Sequence, residues 1–302
     1  LLALRESIDK KQRKREGKKK AATMPFLAKE HVPIPTKDLL SWAFDDLSYD
    51  WDEPVSYTNR HHHQQKIKPQ NSFNFPKTNQ PPQVYIDALN PTNSISARRA
   101  RTVIRQLAAG FRALGLQPGE TVCIHSFNSI WYPIFFQGVV AAGGVYAGTN
   151  PAYTAHELAH ALKTSKARFV LSAPELIGPV LKAVESIGWG REMVLVFNPH
   201  GEAGIEGHLG WGDLLQHGER DWVRFDDLET ARGTTAALLF SSGTTGLPKA
   251  AMLSHYNFVA QHTLVYEAPR RPYRAVRLIA LPMVSLVLGL EGLLSWVGGE
   301  DC

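Results

Sequence analysis

The stretch LLFSSGTTGLPKAAMLSH, Leu238 to His255, sets a run of small, hydroxylated and glycine residues, closed by Lys249, directly between two apolar segments. Such residues cannot build a core, so the loop exists for what its backbone and hydroxyls can hold. Ser241, Ser242, Thr244 and Thr245 offer four hydroxyls, Gly243 and Gly246 let the backbone turn its N–H groups inward, and Lys249 adds a cation. Together they suit a polyphosphate. A solvated, hydroxyl-rich turn is the plain alternative, and the density of matching features weighs against it. The common P-loop, G-x-x-x-x-G-K-[ST], is a different pattern: here Pro248 precedes Lys249 and Ala250 follows it. A mononucleotide kinase or GTPase is therefore disfavoured.

The flanks of this loop read as strands, TTAALLF before it and AAMLSH after it, with Asn257 starting a helix through about residue 265. Further toward the N-terminus the same alternation repeats. Ser96 caps a helix with Val103, Ile104, Leu107, Phe111 and Leu114 at helical spacing, and Gly115 and Pro118-Gly119 end it. A strand from Thr121 to His125, a helix from Ile130 and a strand from Val145 follow. Thr154 and Glu157 have capping-box spacing ahead of Leu158, Ala161 and Leu162. ARFVLSA is then a strand, PELIGPVLKAVESIG a helix broken at Pro179, and EMVLVFN another strand. Residues 200–232 read as a surface connection with one short helix. Repeated units of this kind predict an α/β fold, parallel-rich sheets flanked by helices, with ligands at the strand-to-loop junctions.

The composition, 44% apolar over 302 residues, suits a globular chain with a sizeable core. The net charge of +5 is local: residues 1–23 hold nine Lys/Arg against three Asp/Glu, so the remainder is close to neutral. That segment reads as a basic disordered tail, and nucleic-acid binding, which would rest on its charge alone, is not expected. The two cysteines cannot form a disulfide framework, and Cys123 lies in a strand-like run as a buried small hydrophobe. The apolar stretch from Ile130 to Thr149 contains Pro133, Gln137 and glycines, so it reads as core rather than as a transmembrane segment.

Residues 55–83 contain five Gln, four Asn, four Pro and three His but no Asp, Glu, Gly, Ala or Leu. That composition predicts a disordered insert within the unit 24–302. Val55-Ser56 and Gln83 can be encoded by splice-donor and splice-acceptor sequence, which reads the insert as a retained intron. The adjacent His61, His62 and His63 have no carboxylate or cysteine beside them, and no metal site is assigned.

The loop motif closely resembles the phosphate-loop signature of the adenylate-forming superfamily, the AMP-dependent synthetases and ligases. The resemblance extends through IHSFNSIWYPIFFQGVVAAGGVYAGTNPAYTAHELAHALKTSKARFVL, Ile124 to Leu171, and covers most of Met24 to Met283 outside the insert. It is nearest to the 4-coumarate:CoA ligase-like acyl-CoA synthetases. The resemblance implies the large N-terminal domain of that fold and an acid:CoA ligase reaction using ATP, Mg2+ and CoA. A small-molecule carboxylic acid is adenylated to acyl-AMP and then transferred to CoA. It also implies that Ser241, Ser242, Gly243, Thr244, Thr245, Gly246 and Lys249 bind the ATP phosphates and steady the leaving pyrophosphate.

After Leu281-Pro282-Met283 the resemblance implies an aromatic residue and a carboxylate-orienting histidine, where this chain reads Val284-Ser285-Leu286. Residues 284–302 therefore read as a non-family tail, with the small C-terminal domain and its catalytic lysine absent. No catalytic residue is identifiable, His255 is read as structural, and the chain alone is expected to be inactive. The alternative is a non-catalytic, truncated polyphosphate-binding protein. A cytoplasmic or peroxisomal location is expected.

Overall fold

The computed structural model describes residues 31–45, 83–87, 89–198, 201, 204, 205, 207–241 and 248–264. The chain divides into units 1–33 and 34–302. Of the first, residues 31–33 are described and carry no helix or strand; every described helix and strand lies in the second. The segments 1–23 and 284–302 and the His61–His63 triplet lie outside the described residues. So does the segment 55–83 apart from Gln83.

Two short strands, β1 (Gln83–Ile86) and β2 (Ser94–Ser96), pair antiparallel. The main sheet contains β3 (Thr121–His125), β4 (Val145–Gly148), β5 (Ala167–Ser172), β6 (Val194–Val196), β7 (Thr235–Ser241) and β8 (Lys249–Ser254). Its order is β6-β5-β3-β4-β7-β8, parallel throughout except for the antiparallel β7–β8 pair.

Parallel neighbours require crossovers, and helices supply them. Preceding the sheet are α1 (Leu39–Phe44) and α2 (Ala97–Ala113). Within it α3 (Tyr132–Ala141) links β3 to β4, α4 (Ala155–Ser165) links β4 to β5, and α5 (Ile177–Ser186) links β5 to β6. From β3 the chain steps to β4, then back across β3 to β5 and on to β6, so α3 falls on one face and α4 and α5 on the other. Strands β3 to β6 are buried on both faces, and their alternate residues divide between two cores. Val122, Ile124, Tyr146, Leu171 and Leu195 join α2 and α3 in one; Cys123, Ala147, Val170 and Val194 join α4 and α5 in the other.

Local chemistry sets the helix starts. Ser96 Oγ accepts from Arg99 N at the start of α2. Thr154 and Glu157 form the expected capping box of α4, with Thr154 N donating to Glu157 Oε2 at 2.8 Å and Glu157 N to Thr154 Oγ1 at 3.3 Å.

Three expectations need correcting. Pro179 does not break its helix. A 3-10 turn, Pro174–Leu176, precedes α5, and Pro179 is the third residue of α5, where its missing N–H has no intrahelical partner to lose. The last described helix, α8 (His255–His262), starts two residues before Asn257; Ser254 is its cap and Asn257 supplies the return bond. The connection between β6 and β7 carries α6 (Trp211–Leu214) and α7 (Leu228–Gly233), and its Trp211, Leu214 and Trp222 are buried in the first core.

Candidate polyphosphate site

Ser241 ends β7 and Lys249 opens β8, and the two are register partners across the antiparallel pair. Both ends of the glycine-rich loop are thus clamped by one ladder at the carboxyl edge of the parallel strands. That is where open α/β sheets place their ligands. Ser242, Gly243, Thr244, Thr245 and Gly246 lie outside the described residues. Ser241 is half-buried and Lys249 exposed. Among the described residues Lys249 has no ion-pair partner, so its charge is available to an anion.

The same edge carries the ends of β4 and β3. Thr149 follows β4, donates its backbone N–H to Ile124 O at 3.2 Å, and hydrogen-bonds through Oγ1 to His125 Nδ1 at 2.9 Å. The backbone oxygen of His125 accepts from Ala173 N, so this residue ties the ends of β3, β4 and β5 together. His125 has no exposed surface, and its Nε2 has no hydrogen-bond partner among the described residues. Burial lowers its pKa from 6.5 to about 4, holding the ring neutral. Beneath it Cys123 Sγ lies 3.9 Å from Thr149 Oγ1, and burial pushes the thiol up to about 12. Such a cysteine is no nucleophile at neutral pH.

Gly148 ends β4 where a side chain has no room, since a Cβ there would collide with the Tyr146 hydroxyl. That hydroxyl is 2.8 Å from the Tyr132 hydroxyl in the first core. His255 serves the fold: its Nδ1 accepts from Leu39 N at 3.0 Å, joining α8 to α1, and its ring meets Phe225 edge-on at 5.0 Å.

Sequence reasoning did not single out His160. It lies on α4, and its Nε2 is 3.1 Å from the carbonyl oxygen of Pro248, the residue before Lys249. The two are 88 positions apart, and no local pattern marks the pairing.

The AMP-binding enzyme family matches residues 77–297. A phenylacetyl-CoA ligase of Aspergillus niger is 43% identical over 261 residues, which covers 86% of this chain and 43% of the relative. A nicotinic acid-CoA ligase of Aspergillus fumigatus is 36% identical over 224 residues, 66% of this chain and 38% of the relative. The structure of ATP-bound MatB from Rhodopseudomonas palustris shares the fold, with a TM-score of 0.64 at 22% identity over 87% of this chain and 44% of that one. The chain spans less than half the length of these relatives. With most of its residues matched and the loop framed at the sheet's carboxyl edge, this chain belongs to the AMP-binding enzymes of the adenylate-forming superfamily.

Proposed function

We propose that this chain forms the ATP-handling part of an AMP-forming acid–thiol ligase. A substrate carboxylate oxygen attacks the α-phosphorus of ATP, the bond to the β,γ-pyrophosphate breaks, and acyl-AMP forms. The CoA thiol then attacks the acyl carbon, a thioester forms, AMP leaves and the thiol proton is released. The observation that carries this reading is the Ser241–Lys249 clamp, whose ammonium has no ion-pair partner among the described residues. Fixed donors and a fixed cation favour a leaving group on which charge develops, because they need no reorganisation as it departs. Ser241, Ser242, Gly243, Thr244, Thr245, Gly246 and Lys249 are the proposed phosphate-binding residues.

Among the described residues no three His, Cys, Asp or Glu gather to hold a metal ion, so no protein ligand is assigned to the Mg2+ that would accompany ATP. No residue is assigned to CoA. The relatives' names include phenylacetyl- and nicotinic acid-CoA ligases. Both acids are aromatic, which supports an aromatic carboxylic acid here, the class that also contains 4-coumarate.

Calorimetric titration tests the site. Lys249→Met is expected to weaken MgATP binding by roughly ten-fold or more, the loss of a hydrogen bond to a charged group. Equal binding by the variant removes the polyphosphate reading. Pyrophosphate release with phenylacetate or nicotinate against decanoate tests the chemistry. Equal rates remove the aromatic assignment, and no release with intact ATP binding favours a binding protein without ligase chemistry.

A further inference from the structure

We infer that His160 is a positioning residue for Lys249: it holds the Pro248 carbonyl and thereby fixes the direction in which the lysine leaves the sheet. This rests on the polyphosphate reading of the loop. The carbonyl of Pro248 and the backbone nitrogen of Lys249 share one planar peptide unit, so fixing the oxygen fixes the plane from which Lys249 departs. Proline's ring already sets φ at residue 248, and a bond to its carbonyl restrains ψ. On the other side Lys249 is held in register opposite Ser241. The lysine thus emerges from a backbone restrained on both flanks, although its side chain is exposed.

The restraint hangs from a firm element. The capping box fixes the start of α4, Leu158, Ala161 and Leu162 bury its inner face, and Ala250 of β8 packs against the same core. His160 is half-buried, 3.1 Å from Pro248 O and 3.3 Å from Thr164 Oγ1 through the same nitrogen. A carbonyl oxygen can only accept, so Nε2 carries the proton, and the Thr164 hydroxyl oxygen accepts its second branch. Preorganising the cation in this way lowers what must be ordered when an anion binds.

Two measurements on the whole chain test this. Nitrogen-15 NMR of the imidazoles should show His160 as the Nε2–H tautomer without any ligand; an Nδ1–H tautomer overturns the inference. Pyrophosphate titration then compares variants. His160→Leu should raise the Kd about three- to ten-fold, the range for one lost hydrogen bond, and His160→Gln, which keeps an N–H at similar reach, should stay within about two-fold. In a Lys249→Met background His160→Leu should add nothing, because its effect runs through the lysine. Losses that add instead mark His160 as a support of the fold alone. If Lys249→Met weakens binding while His160→Leu does not, this inference fails and the polyphosphate reading stands. If Lys249→Met changes nothing, both fall.

Discussion

The two faces of the sheet are built from different material. On one side Tyr132, Phe135, Phe136, Phe197 and Trp211 interlock, with Phe135 ring to ring with Phe197 at 4.6 Å and with Trp211 at 5.3 Å. On the other, α4 and α5 present Leu158, Ala161, Leu162, Val180, Ala183 and Val184. Aromatic rings fill the first core, whereas aliphatic residues pack α4 and α5 against the second face. The aliphatic side is the one that matters for the loop, because α4 on it carries His160 within reach of Pro248.

If the aromatic face carries the stability, Phe135→Ala is the most damaging of these changes, costing about 3–5 kcal/mol as a large-to-small core substitution. Urea denaturation measures it. A loss below that of Leu162→Ala on the other face would break the contrast.

Acid is expected to act on the fold through two buried imidazoles. His125 and His255 each have a pKa lowered from 6.5 to about 4 by burial. Above pH 6.5 both are neutral whether folded or not, and the fold keeps its full stability. Below it the unfolded chain takes up protons that the folded one refuses, so stability falls between pH 6.5 and 4, by up to about 3 kcal/mol per histidine. In His255→Asn the side-chain oxygen can still accept from Leu39 N but does not titrate. That variant should lose about half of the acid sensitivity in urea midpoints compared at pH 7 and 4.5. An unchanged pH dependence would remove His255 from the account.

The smallest effect sharpens the contrast. Ala161→Leu should cost about 1–3 kcal/mol through overpacking. It should also push α4 outward, weakening pyrophosphate binding beyond what stability accounts for. Loss of stability with binding intact would show that close packing of α4 does not reach the loop.

Much of the fold is legible in the sequence because the signals are local. Apolar alternation marks the strands, and Thr121–His125 matches its expected bounds. Ser96 and the Thr154–Glu157 pair mark helix starts through side-chain oxygens within three residues of their partners. What escapes depends on distance along the chain. Strand order, the His125–Thr149 bond and the His160–Pro248 bond all join residues that no window spans. The 200–232 segment misleads because its polar composition hides Trp211 and Trp222, whose indole N–H groups reach Asn198 O and Ser41 Oγ inside the core.

Hydrogen-exchange mass spectrometry of the whole chain with and without pyrophosphate locates the anion directly. The account predicts added protection in peptides covering β7, the start of β8 and α4, lost in Lys249→Met. Protection elsewhere, as at the groove of about 450 Å³ between Leu181 and Arg191, with none in the β7–β8 hairpin, would contradict it.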